Sequence, residues 1–224
     1  MRLLLLATLV LSTNLHANIL TVPADRTVRI MGEVNGSILP AISKLETLSR
    51  SSSDPIFILI NSPGGSILAG NLFINAMHVA QNRGVKLHCA STMFAASMAF
   101  QFLVECDYRY AFKHTKLLFH PPRIMYMGVL LETQMRQWIE ELEQIESKMI
   151  PVMQEAMGLS DEVFNHHYHA ETFWDAEDLQ AYTKRGFITI IDDIVGITNI
   201  FQINPLRSDY QNGALIWIAP WDIK

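Results

Sequence analysis

The run Ile56-Phe57-Ile58-Leu59-Ile60 constrains this chain more than any other segment. Five consecutive apolar β-formers without alternation cannot sit on a half-solvated sheet, where every second side chain would face water. They predict a strand buried on both faces, as in a parallel sheet covered by other layers. Asn61-Ser62-Pro63-Gly64-Gly65 breaks the run sharply. A helix is predicted after it, with Leu68, Leu72, Ala76 and Val79 along one face and Arg83-Gly84 as its stop.

The alternation of strand and helix continues. Val28 to Met31 is a short strand, and Ser37 to Arg50 carries apolar residues at helical spacing. Val85 to Ala90 reads as a strand and Ser91-Thr92 as a turn. The small, apolar stretch from Ala95 to Val104 reads as a buried helix, and Arg109 to Phe112 and Lys116 to Phe119 as strands around a turn. A long helix is predicted from Gly128 to Met149, ended or kinked by Pro151. Its stripe of Met135, Trp138, Leu142, Ile145 and Met149 is most simply core packing. Helical pieces follow from Asp161 to Leu179, then a strand region from Phe187 to Val195. This order predicts an α/β domain.

The 224 residues are 50% hydrophobic and 17% charged, which excludes a disordered chain. A net charge of −5 with no clustered basic face argues against a nucleic-acid partner. At the N-terminus, Met1-Arg2, the apolar Leu3 to Leu11 and the polar stretch ending at Ala17 follow the order of a secretory signal. We therefore expect residues 1–17 as a signal peptide, 18–198 as the domain and 199–224 as a C-terminal extension, in a periplasmic or secreted protein. Two cysteines do not make a disulfide framework, and Cys89 lies in an apolar run. In an exported protein Cys89 and Cys106 could pair, but buried thiols are favoured over a disulfide.

Three segments carry chemistry. Gly64-Gly65 after a buried strand can bend the backbone and present N–H groups to a ligand. In Ala95-Ala96-Ser97-Met98-Ala99, small neighbours surround a serine at a helix start, where backbone N–H groups can face an oxyanion; an ordinary helix cap is the plainer alternative. In Leu118-Phe119-His120-Pro121-Pro122, a histidine ends an apolar strand, and imidazole suits a base near neutrality. His166-His167-Tyr168-His169 lacks cysteine or a fixed carboxylate partner and reads as a solvated segment, so no metal and no cofactor are expected.

The three segments in this order resemble the ClpP family, the proteolytic subunits of Clp proteases, over residues 27 to 195. Ile60 to Gly65 resembles its glycine turn, Ala95 to Met98 its nucleophile segment, Phe119-His120 with Pro122 its histidine strand, and the long helix its handle. The resemblance implies a ClpP/crotonase-like spiral of repeated β-β-α units with a protruding handle helix. It further implies a serine peptidase in which Ser97 attacks a carbonyl, His120 moves the proton, and Gly65 and Met98, with Gly64 shaping the turn, bind the oxyanion. Glu171 stands where the family has its triad aspartate, with Asp175 nearby. Arg123 to Gly128 replaces the family's glycine-rich substrate strand. The implied substrate is a small or unfolded polypeptide and the implied assembly a homo-oligomer, with a ring possible. Export would separate the chain from ATP, so an ATP-independent enzyme without an ATPase partner is expected. A non-catalytic scaffold and a crotonase-type acyl-transfer enzyme are the alternatives, and a Ser-Lys dyad using Lys113 or Lys116 is a further variant.

Overall fold

A computed structural model describes residues 17–124 and 126–200. Nearly all of the expected signal peptide and most of the C-terminal extension lie outside these residues. The strands are β1 (Ile19–Thr21), β2 (Thr27–Met31), β3 (Ile56–Ser62), β4 (Leu87–Ala96), β5 (Tyr108–Phe112), β6 (Lys116–Leu118), β7 (Phe173–Asp175), β8 (Thr189–Ile191) and β9 (Asp193–Val195). The helices are α1 (Leu39–Ser51), α2 (Ile67–Asn82), α3 (Met98–Glu105), α4 (Glu132–Met157), α5 (Asp161–Ala170) and α6 (Ala176–Tyr182).

Seven strands form one sheet in the order β2-β3-β4-β5-β8, with β6 also on β4 and β7 on β6. All pairings are parallel except β6–β7. A separate parallel pair joins β1 to β9, near the two ends of the described chain. This is the α/β architecture that the ClpP-like resemblance implies.

The β3 run is buried on both faces, as its sequence demands. Ile56, Ile58 and Ile60 pack with Leu45 of α1, Phe73 and Met77 of α2, and Phe100 and Leu103 of α3. Leu59 faces the other way and packs with Leu20, Val22, Ala90, Ile191 and Ile194. Full burial of each such side chain stabilises by about 1.5–3 kcal/mol, so the central strand anchors both layers.

Several sequence readings are corrected. On α2 the buried residues are Gly70, Phe73, Ala76, Met77 and Ala80, whereas Leu68, Leu72 and Val79 are exposed. Asn71, Asn75, His78 and Asn82 mark the outer face at i, i+4, i+7 and i+11, and Leu68, Leu72 and Val79 lie beside it rather than opposite. Helix α4 starts at Glu132, not Gly128, and runs through Pro151 to a left-handed Gly158, whose N–H bonds to the Gln154 carbonyl. Burial of Met153 and Met157 beyond the proline offsets the lost backbone bond. Only the C-terminal part of α4 reaches the core; Met135 and Ile139 are exposed.

The cysteine reading is overturned as well. Cys89 of β4 and Cys106 after α3 form a disulfide, with Cα atoms 5.9 Å apart. Both residues are buried, as expected, but α3 folds back along β4 and brings them together, a return that local sequence does not reveal. The bridge closes a loop with a sequence separation of 17. Closing a loop of about this length is worth about 3 kcal/mol in the chain-entropy description. The double variant Cys89→Ala/Cys106→Ala should lose about that much stability in urea unfolding; an unchanged midpoint would show that the bridge adds nothing.

Candidate functional site

The site begins where β4 changes neighbours. Its register against β3 shifts between the Ile60–Ser91 and Ser62–Ala95 pairs. Before the shift, His88 to Ser91 pair with β5; after it, Phe94 to Ala96 pair with β6. The turn predicted at Ser91-Thr92 is this irregularity within one continuous strand. The same continuity moves the start of the following helix from Ala95 to Met98.

Ser97 occupies the strand-to-helix junction at φ 56°, ψ −125°. A residue with a Cβ pays strain there, of order 1–3 kcal/mol. The junction is held by a bond from the Ser97 N–H to the Leu118 carbonyl (2.8 Å), and the Ser97 carbonyl accepts from Phe100 and Gln101. The Ser97 side chain makes no capping bond, so its hydroxyl is not used by the helix. The bond to Leu118 also ties the serine to β6, two residues before His120.

The glycine turn packs directly against this junction. A Cβ on Gly64 would lie 2.5 Å from the Ala96 carbonyl oxygen and 2.6 Å from Ser97 Cβ, so only glycine fits. The Gly64 N–H donates to Ser62 Oγ, and its carbonyl accepts from Val34. Gly65, at φ 146°, would drive a Cβ to 2.3 Å from the Val34 carbonyl oxygen. Among the described residues, neither the Gly65 N–H nor the Met98 N–H has an acceptor within the chain. Of the three residues expected at the oxyanion, Gly64 thus permits the approach while Gly65 and Met98 keep open donors.

Ser97, Met98 and His120 line one narrow cleft with Ile67, Gln101 and Phe119; Met149 and Met153 of α4 close it. Phe119 stacks on Phe100 and Phe164, with centroids 5.3 and 5.4 Å apart, which fixes the strand end carrying His120. His120 Nδ1 lies 2.6 Å from the Pro121 carbonyl. A carbonyl can only accept, so the proton is on Nδ1 and the Nε2 lone pair is free to take a proton. Burial holds the His120 pKa below that of an ordinary histidine. The Pro121 bond opposes this, nearby Arg123 adds to it, and nearby Glu171 opposes it.

Glu171 caps α5 in a left-handed conformation, and its carboxylate is paired with Arg123. Among the described residues, no hydrogen bond joins Glu171 or Ser97 to His120. Asp175 pairs with Lys116 at 3.0 Å and Lys113 with Glu177 at 3.0 Å, so both lysines considered for a dyad are engaged at the surface. His167 of α5 packs edge-on against Trp174, and among the described residues no group of three His, Cys, Asp or Glu could hold a metal ion.

Sequence reasoning missed three participants. The Pro121 carbonyl left no signal, because its role depends on a ring rotamer. Arg123 was noted only as a departure from a pattern. Gln101 did leave one: it is the sole polar residue in Met98-Ala99-Phe100-Gln101-Phe102-Leu103-Val104.

With this geometry in hand, comparison with known proteins is decisive for ancestry. The Clp protease family model matches residues 14–195, and the chain belongs to that family. It is similar to the ATP-dependent Clp protease proteolytic subunit 2 of Pseudomonas aeruginosa, 22% identical over 141 residues, covering 63% of this chain and 69% of the relative. It is 30% identical over 147 residues to the ATP-dependent Clp protease proteolytic subunit of Cuscuta reflexa, covering 63% and 66%. The subunit of Sorghum bicolor is 26% identical over 174 residues, covering 75% and 77%.

The strained serine makes a stability prediction. Ser97→Gly should be more stable than Ser97→Ala by about 1 kcal/mol, because glycine relieves the positive φ and alanine does not. Equal midpoints in thermal unfolding would contradict the strained junction.

Proposed function

We propose that the protein hydrolyses peptide bonds of small or unfolded polypeptides, with Ser97 as nucleophile and His120 as its base. The observation that carries this reading is the pair of open N–H donors, Gly65 and Met98, flanking a serine whose hydroxyl is free of any capping bond. Attack of Ser97 Oγ on a carbonyl places negative charge on its oxygen, and two preorganised donors would stabilise it; losing one such donor costs roughly a hundredfold in rate in comparable sites. His120 Nε2 would take the hydroxyl proton and return it to the leaving amine. Its lowered pKa keeps the ring neutral, and so basic, around pH 7.

The Pro121 carbonyl orients the imidazole in this reading. Glu171 acts through its charge, in balance with Arg123, and would complete a triad only by leaving that partner. The relatives are named as proteolytic subunits of ATP-dependent proteases. For this chain we propose ATP-independent action after export, signalled by the apolar run from Leu3 to Leu11. We also propose assembly of copies through the exposed apolar residues Leu68, Leu72 and Val79 of α2 and Met135 and Ile139 of α4. The engagement of Glu171 by Arg123 favours a second reading, a scaffold that retains the fold without turnover.

A fluorophosphonate probe separates the two readings. Labelling of the wild type that vanishes in Ser97→Ala supports hydrolysis, and no labelling supports the scaffold. The labelling rate should rise with pH through a midpoint below 6.5, the ordinary histidine value. Removing the Arg123 charge in Arg123→Gln should move that midpoint up, because protonated His120 loses a repulsive neighbour. Glu171→Gln should move it down, because the protonated ring loses an attractive one. Shifts of the opposite sign would refute this electrostatic account.

A further inference from the structure

Beyond Ser97 and His120, the cleft is walled by apolar side chains and one buried amide. Gln101 lines it, yet only 4% of the residue is exposed. Its Nε2 donates to Glu105 Oε1 at 2.6 Å, one helical turn on. That bond fixes the amide's orientation, because a carboxylate can only accept. The remaining polar atom, Oε1, is buried and has no partner. An amide carbonyl left unpaired in an apolar wall is costly, and a ligand that donates to it recovers that cost. The apolar part of the wall includes Ile67, Met98, Phe119, Met149 and Met153, and the cavity measures about 30 Å³. Such a space admits a small group as it stands, and the flexible methionines can yield to a slightly larger one.

We propose that Gln101 is a specificity-determining residue: the cleft accepts, on the acyl side of the scissile bond, a small uncharged side chain ending in a hydroxyl, serine or threonine, whose O–H donates to Gln101 Oε1. The proposal rests on the cleft being the substrate site of the hydrolase reading above. A purely apolar side chain of the same shape fills the same space and leaves the carbonyl unpaired, so it binds less well. A charged side chain is rejected because no group in the wall neutralises it.

The test uses the full chain and two fluorescent peptide acids that differ only in a C-terminal threonine or valine, which are nearly isosteric. Their terminal carboxylate can accept from the Gly65 and Met98 N–H groups, which sets the register. Binding is read by anisotropy on the wild type and on Ser97→Ala, so it needs no turnover. The threonine peptide should bind about tenfold more tightly to both, the size expected for pairing one buried acceptor. Gln101→Met and Gln101→Leu should each bring the two affinities within about twofold of one another while still binding the valine peptide. Equal affinities in the wild type would overturn the proposal, as would a preference that survives in either variant that still folds. Failure of the fluorophosphonate to label Ser97 would instead count against hydrolysis and leave the binding result to stand or fall by itself.

Discussion

The structure depends on one close approach, that of the Gly64 backbone to the junction between Ala96 and Met98. No side chain larger than hydrogen fits at Gly64, because the Ala96 carbonyl and Ser97 itself occupy the space. This contact brings the ends of two neighbouring parallel strands to one point. It also pins Ser97 in a conformation that non-glycine residues avoid, with the Leu118 carbonyl holding it from the other side. Strain of this kind persists only where surrounding structure over-determines it. Here the surroundings are rigid: β3 is buried on both faces, and α3 is fastened behind the serine.

The fastening of α3 is elaborate for an eight-residue helix. The Cys89–Cys106 bridge joins its far end to β4. The Arg109 guanidinium, partly buried, donates to the carbonyls of Val104 and Cys106 at that end and to Phe187 on β8's approach. Covalent, hydrogen-bonded and apolar contacts therefore fix both the strand that leads into Ser97 and the helix that leads away. The frame also fixes the backbone at Met98, and such preorganisation is what the oxyanion role proposed for the Gly65 and Met98 N–H groups requires.

Much of this was legible in the sequence, for identifiable reasons. A continuous apolar run such as Ile56 to Ile60 has one physical solution, and Gly64-Gly65 after it announces a tight turn. Ser97 and His120 could be singled out because each interrupts an apolar element at its end. What could not be read was anything decided by long-range return of the chain. The disulfide needed the fold-back of α3. The inner face of α2, by contrast, was legible: the polar row Asn71, Asn75, His78 and Asn82 lies opposite Phe73, Ala76 and Ala80, whereas Leu68, Leu72 and Val79 flank that row. Continuation of α4 past Pro151 depended on burial of Met153 and Met157 at a distance. The partner of Glu171 was undetermined because a flexible carboxylate can reach either a ring or a guanidinium, and in the fold it meets Arg123.

The central claim is convergence of Ser97, His120 and the two open N–H groups on one carbonyl-sized space. A crystal structure of the protein treated with a peptidyl boronic acid tests it most directly. The account predicts a covalent bond from Ser97 Oγ to boron, with one boronate oxygen within hydrogen-bond distance of both the Gly65 and Met98 nitrogens and His120 Nε2 facing the adduct. An adduct on Ser97 whose oxygens point away from those nitrogens, or boron bound elsewhere, would contradict it.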